Sequence, residues 1–253
     1  MPTESTIKLT ASDGHTFQAF RADPADAPKG AIVVLPDGTG AAGKLRKVAD
    51  AFAASGYVVI APELSPPAAI DAATEGEPAK TVPDPAAPLL AEIQSTVDSV
   101  KECGKVAVVG FGAGGGLAYD AANRVSGVAC AVSYYATGVV NAAGAKRRIP
   151  TLLHFGEADI VVPFAEVTMF RAYHPEVSAF SYPNAAHAFD GDGETYDESA
   201  ATLAHDRTLA WISQYIVGQP PITLKNAGAY ALAKTDKKKK KKKADDDMGP
   251  PAD

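Results

Sequence analysis

The sequence predicts an α/β fold with a mainly parallel sheet and helices on both of its faces. Short, continuous apolar segments are typical of strands that are buried on both faces, and they lie at residues 31–35, 57–62, 105–110, 127–136, 150–156 and 178–183. Amphipathic stretches with helical spacing separate most of these segments. Because strands and helices alternate, the pattern indicates βαβ units in one parallel sheet.

A predicted hairpin precedes the alternating part of the chain. Residues 6–11 and 16–20 alternate polar and apolar side chains around Asp13-Gly14, a dipeptide that favours a tight turn. The predicted helices span 44–55, 89–102, 115–125, 164–173 and 200–217. Residues 63–88 are rich in proline and alanine and show no clear period, which favours a long loop.

The last part of the chain differs in composition from everything before it. Seven consecutive lysines stand at 237–243, and their mutual repulsion opposes a packed core. We therefore predict a single domain over residues 1–218 and a disordered tail over 219–253. A solvated tail is the simpler interpretation of the lysine run, and a contact with an acidic partner is the alternative.

Charge and cysteine content argue against several classes of function. Eight of the 24 basic and five of the 30 acidic residues lie in 234–253. The rest of the chain therefore contains 16 basic and 25 acidic residues and has a net charge of −9. An acidic body is a poor electrostatic match to nucleic acid. Cys103 and Cys130 show no metal or redox spacing, no apolar run reaches membrane-spanning length, and no secretory signal is visible. These features favour a cytoplasmic protein without a metal or a membrane contact.

A glycine cluster follows the third buried segment and has two interpretations. Gly110, Gly112 and Gly115 spell G-x-G-x-x-G, the spacing of a dinucleotide-binding turn. Such a turn normally opens its fold, and no carboxylate that could meet a ribose follows about 20 residues later. The alternative is a nucleophile elbow, a strained strand-to-helix turn flanked by small residues, with Gly112 at its tip. The context favours the elbow and predicts no cofactor.

An acid and a histidine follow the glycine cluster in the order that an elbow site requires. Asp159 lies in a loop just after the predicted strand 150–156, and His187 lies in a loop after strand 178–183. Because loops at the carboxyl ends of parallel strands form the sites of such folds, both residues are expected at one site. A histidine oriented by a carboxylate is the arrangement that serves as a general base.

Taken as an ordered set, these motifs resemble the dienelactone hydrolase family of α/β-hydrolases. The resemblance extends over about residues 5–217 and is carried by SDGHTFQAF, AIVVLPDGTG, GYVVIAPEL, VAVVGFGAGGG, YYATG, LLHFGEADIVVP and YPNAAHAFDGDG. It implies the α/β-hydrolase fold and hydrolysis of a small ester or lactone. By position it also implies that Asp159 is the catalytic acid and His187 the base.

The chain departs from the family at the position of the nucleophile. The family has a cysteine or serine where this chain has Gly112, so the resemblance implies weak or lost activity, or a non-catalytic protein that binds a small carbonyl ligand or a protein partner. By resemblance the backbone N–H groups of Ala113 and Gly38 form the oxyanion hole. Asp37 stands where the family has a glutamate that contacts the nucleophile. Gly191 replaces a substrate-binding arginine, so we expect a substrate other than the family's anionic dienelactone.

Other residues are weak candidates for the missing nucleophile. Ser133 and Tyr134 end a predicted strand, but they match a structural segment of the family. Cys103 precedes a strand, at the opposite end of the sheet, and Cys130 is expected within a strand as a small core residue. Asp37 ends a strand beside the predicted pocket, which suits either a turn residue or a site residue.

Overall fold

The computed structural model describes residues 3–38, 42–64, 84, 86–141 and 149–218. The predicted tail over 219–253 and most of the predicted loop over 63–88 lie outside these ranges. Within them, no helix combines the length and the apolar composition that are needed to cross a membrane.

A sheet of eight strands forms the centre of the described structure, in the order β1-β2-β4-β3-β5-β6-β7-β8. The strands are β1 Thr3–Thr10, β2 Thr16–Asp23, β3 Ala31–Leu35, β4 Val58–Pro62, β5 Val106–Phe111, β6 Val128–Tyr134, β7 Thr151–Gly156 and β8 Ser178–Tyr182. β2 pairs antiparallel with β1 and with β4, and every other neighbouring pair in the sheet is parallel. The predicted mainly parallel sheet, preceded by a hairpin, is confirmed.

Helices cover both faces of this sheet. They are α1 Ala42–Ala54, α2 Ala87–Val100, α3 Gly112–Arg124, α4 Phe164–Tyr173 and α5 Glu198–Ile216. Side chains alternate between the two faces along a buried strand, so Val33 and Val34 belong to different cores. α1 and α5 pack on the face that contains Val34, and α2 and α3 pack on the face that contains Val33. α4 shares a further apolar cluster with α3 and β7.

Helix α3 begins at Gly112, three residues before the start that the sequence predicts. Glycine disfavours helices, so the pattern placed the start after the glycine cluster. Close packing explains the earlier start, since a Cβ on Gly114 would collide with the carbonyl group of Leu35. A Cβ on Gly115 would lie 3.0 Å from the carbonyl oxygen of Tyr134. The glycines therefore let α3 start directly at the end of β5 and pass close to β3 and β6.

Candidate active site

Four strands end at the edge of the sheet where the predicted site residues lie. Asp37 follows β3, Gly112 follows β5, Asp159 follows β7, and His187 follows β8. β3, β5, β6, β7 and β8 are consecutive parallel neighbours, so their carboxyl ends share this edge. In α/β folds the crevice beyond these ends is where sites form.

His187 and Asp159 form a hydrogen-bonded dyad. Nδ1 of His187 lies 2.8 Å from Oδ2 of Asp159. The other carboxylate oxygen, Oδ1, accepts the backbone N–H groups of Val161 at 2.7 Å and Val162 at 2.9 Å. The Asp159 side chain is fully buried, while that of His187 is 20% exposed. The carboxylate thus holds the ring with a proton on Nδ1, and Nε2 makes no hydrogen bond to another described residue.

The elbow contains the carboxylate of Asp37 in place of a side chain on residue 112. Gly112 has a φ of +52°, in the left-handed region, at the junction of β5 and α3. A Cβ built on Gly112 would lie 2.5 Å from Oδ2 of Asp37 and closer still to its Cγ. A side chain at residue 112 and Asp37 in its present position therefore exclude each other.

Both N–H groups that the resemblance assigns to the oxyanion hole have acceptors within the protein. Ala113 donates its N–H to Oδ1 of Asp37 at 3.0 Å. Gly38 donates its N–H to the carbonyl oxygen of Pro36 at 3.2 Å. The carbonyl oxygen of a substrate would have to compete with Asp37 for the N–H of Ala113.

A hydrogen-bonded network that the sequence analysis missed packs against the histidine. The Tyr135 hydroxyl donates to Oδ1 of Asp190 at 2.8 Å. Nζ of Lys44 lies 2.7 Å from the same oxygen and 2.5 Å from the Tyr135 hydroxyl. The rings of Tyr135 and His187 meet edge to face, with centroids 4.9 Å apart. Burial, followed by the charge of Asp190, raises the pKa of Tyr135, so its hydroxyl remains a donor.

Comparison with known proteins assigns the chain to a family. Residues 17–216 match the dienelactone hydrolase family. The chain belongs to this family. It is 28% identical over 225 residues to the carboxymethylenebutenolidase of Pseudomonas putida, an alignment that covers 82% of this chain and 95% of that protein.

Solved structures of known proteins share the fold of this chain. One is a Klebsiella pneumoniae protein assigned as a dienelactone hydrolase, with a TM-score of 0.67 and 23% identity, covering 84% of this chain and all of that one. Another is a thermophilic esterase of Thermogutta terrifontis, with a TM-score of 0.64 and 18% identity, covering 87% of this chain and 95% of the esterase. The protein thus has the α/β-hydrolase fold and is a member of a hydrolase family.

The alternative nucleophiles of this dienelactone hydrolase-family protein are buried, hydrogen-bonded or at the opposite end of a strand. Ser133 is fully buried and donates to a backbone carbonyl of α3 at 2.8 Å. The hydroxyl of Tyr134 lies 2.6 Å from a threonine of α5. Burial raises the pKa of the Cys130 thiol to about 12. Cys103 lies in a 3₁₀ turn just before β5, at the opposite end of that strand from Gly112.

An open groove lies beside the site, between α1 and α5. It has a volume of about 590 Å³, and its lining includes Lys47, Phe52, Phe111, Asp190, Tyr196 and His205. The dyad and the elbow glycine do not line it. The groove is therefore a neighbouring feature, separate from the dyad and the elbow where the polar groups converge.

Proposed function

We propose that this protein hydrolyses small esters or lactones slowly, through His187 and Asp159, without a nucleophile on residue 112. The dyad carries the proposal. Nδ1 of His187 lies 2.8 Å from Oδ2 of Asp159, and this buried carboxylate is itself held by the backbone N–H groups of Val161 and Val162. A base held in this way can take a proton from water. The dyad does not depend on a side chain at the elbow.

Two features of the elbow support a low rate. Gly112 offers no attacking group, and loss of a triad nucleophile costs on the order of 10⁶-fold in kcat in a serine protease. The Asp37 carboxylate accepts the N–H of Ala113. That N–H would otherwise stabilise the negative charge on the carbonyl oxygen of a substrate in the transition state.

The surroundings of the dyad support an uncharged substrate. Ile160 and Val161, which follow the catalytic acid, are 91% and 55% exposed and present apolar surface to a ligand. Gly191 stands four residues after His187 and offers no positive charge to an anionic substrate. We infer that small uncharged esters or lactones are the substrate class.

The test is an ester and lactone panel with p-nitrophenyl acetate, p-nitrophenyl butyrate and dihydrocoumarin. We expect the wild type to exceed the buffer rate and His187→Ala to return to that rate. His15→Ala, which changes a histidine on the hairpin, is the matched control for a contaminating esterase and should keep the wild-type rate. A wild type no faster than buffer, or a His187→Ala variant as fast as the wild type, would refute the proposal.

A non-catalytic carbonyl-binding protein is the second candidate. It is favoured by one observation, that the residue at the tip of the elbow is Gly112, which offers no attacking group to a bound carbonyl. Calorimetric titration with an unreactive ketone analogue of the best ester separates the two functions. Micromolar binding without any turnover would favour this candidate over slow hydrolysis.

A further inference from the structure

We propose that Asp37 is the covalent nucleophile of this site, in the place that a cysteine or serine on residue 112 has in relatives. The inference rests on the proposed hydrolysis and adds the atom that attacks the substrate. The position of the carboxylate is its first support. Oδ2 of Asp37 lies 2.5 Å from where a Cβ of residue 112 would stand, and Oδ1 lies closer still, so the carboxylate fills the volume of a serine or cysteine side chain at this position.

The hydrogen bonds of Asp37 leave one of its oxygens free to react. Oδ1 is held by the N–H of Ala113 at 3.0 Å, in the first turn of α3, where the helix dipole favours a negative charge. Oδ2 accepts no hydrogen bond from another described residue, and Asp37 is exposed to solvent. One oxygen thus anchors the carboxylate while the other presents its lone pairs.

In the first step, Oδ2 attacks the acyl carbon of the ester. The Oδ2–acyl bond forms, the bond to the leaving oxygen breaks, and the alcohol departs as an anion with the electron pair. Asp37 is left as a mixed anhydride with the acyl group. A carboxylate is a weak nucleophile, and Ala113 remains bound to Oδ1. The step therefore selects esters and lactones whose leaving oxygen is acidic, namely aryl and enol esters.

In the second step, water attacks Cγ of Asp37 as His187 takes one of its protons. Negative charge develops on Oδ1, which the N–H of Ala113 already holds, so the hydrogen bond of the resting site becomes that of the tetrahedral intermediate. The Cγ–Oδ2 bond then breaks. The substrate acid leaves with Oδ2, the water oxygen stays on Asp37, and the released protons pass to solvent.

Tyr135 lies next to His187, the base of this second step. Its ring contacts that of His187, with centroids 4.9 Å apart. Burial and the charge of Asp190, with a smaller contribution from the charge of Asp37, raise the pKa of Tyr135. The ring of His187 therefore packs against Tyr135, and the charge of Asp37 contributes to the electrostatic environment of this tyrosine.

A single turnover in water labelled with heavy oxygen decides the route and needs no variant. Excess wild-type enzyme is mixed with p-nitrophenyl butyrate, and the butyrate and the tryptic peptides are analysed by mass spectrometry. We expect the first butyrate to carry no label, and the peptide that contains Asp37 to gain one heavy oxygen. Label in the first butyrate together with an unlabelled Asp37 would overturn the inference, while the proposed hydrolysis would stand.

Asp37→Asn provides a second readout, with Asp50→Asn, an exposed aspartate of α1, as the matched control. We expect Asp37→Asn to lose roughly 100-fold or more in kcat, because the amide is a far poorer nucleophile, and Asp50→Asn to match the wild type. Thermal unfolding checks that both variants fold. An unchanged or faster Asp37→Asn would show that Asp37 merely blocks the site. If the wild type shows no turnover at all, both this inference and the proposed hydrolysis are refuted.

Discussion

Ala113 donates its backbone N–H to the carboxylate of Asp37 at 3.0 Å, which joins the end of β3 to the first turn of α3. The same carboxylate occupies the space that a side chain on residue 112 would need. A charge at a helix N-terminus of this kind is stabilised by about 0.3–1 kcal/mol. Residues 37 and 112 therefore form one unit, and a change at either position has consequences at the other.

A nucleophile restored at residue 112 should work best with a second substitution at residue 37, because it takes the space of the present Asp37 carboxylate. Gly112→Cys alone should lower the free energy of unfolding by about 1–2 kcal/mol, because a residue with a Cβ is strained at a φ of +52° and must also displace the Asp37 carboxylate. Asp37→Gly combined with Gly112→Cys should remove the collision and release a burst of p-nitrophenol equal to the enzyme concentration. Denaturant unfolding and stopped-flow kinetics measure both effects. A single variant as stable as the wild type and as active as the double variant would contradict this coupling.

Asp159 should contribute to both stability and turnover. Asp159→Ala leaves the N–H groups of Val161 and Val162 without their acceptor, so we expect a loss of about 1–3 kcal/mol in the free energy of unfolding. Asp159→Asn retains an acceptor oxygen for these groups and should lose less stability. Both variants should lose ester hydrolysis. Equal stability of Asp159→Ala and the wild type would show that this carboxylate does not hold the loop.

Lys44 should matter more than Lys47, although both lysines of α1 pair with aspartates of the loop that follows His187. Lys44 is largely buried and contacts Asp190 and Tyr135, whereas the pair of Lys47 with Asp192 is exposed. Lys44→Met should lower the free energy of unfolding by about 1–3 kcal/mol, because the largely buried charge of Asp190 loses its cationic partner and keeps only the hydrogen bond from the Tyr135 hydroxyl. Lys47→Met should cost less than about 1 kcal/mol. Denaturant unfolding of both variants checks this order, and equal costs would contradict it.

His154 should make stability depend on pH in the mildly acidic range. Burial, aided by the charge of Arg207, lowers its pKa from 6.5 to about 3, so the folded protein holds the ring neutral. Between these two values the unfolded chain binds more protons at this residue. The free energy of unfolding should therefore fall as the pH is lowered through that window, by up to about 1.4 kcal/mol per pH unit.

His154→Gln removes this titration while it retains polar atoms for Tyr182 and Thr208. Chemical unfolding of the wild type and the variant between pH 7 and pH 5 isolates the contribution of residue 154. The variant should show a shallower decline than the wild type. Parallel curves would contradict a neutral, buried ring.

The sequence predicts both the fold and the His187–Asp159 dyad, because both depend on short motifs and on their order along the chain. Continuous apolar segments predict the buried strands, and Asp159 and His187 each lie in the loop that follows such a strand. The parallel arrangement then brings the strand ends to one edge. The sequence also identified the glycine at the elbow.

The resemblance already places Asp37 beside residue 112, but it does not predict that Asp37 and a side chain on residue 112 compete for one volume, because this is a steric relation between separate strands. Asp37 follows β3 and Gly112 follows β5, and only the packed structure shows that the carboxylate takes the space of the absent side chain. The Lys44 contact was missed for the same reason. Of the residues in this network, only Asp190 could have been suspected from the sequence, because it stands three residues after His187.

The most direct measurement of the central claim is treatment of the active wild type with a fluorophosphonate, followed by intact-protein mass spectrometry and an assay with p-nitrophenyl butyrate. This reagent modifies activated serine nucleophiles. The account predicts no stoichiometric adduct on any serine and an unchanged rate, because hydrolysis proceeds through His187 and the groups of the elbow without such a residue. A stoichiometric serine adduct with loss of activity would contradict it.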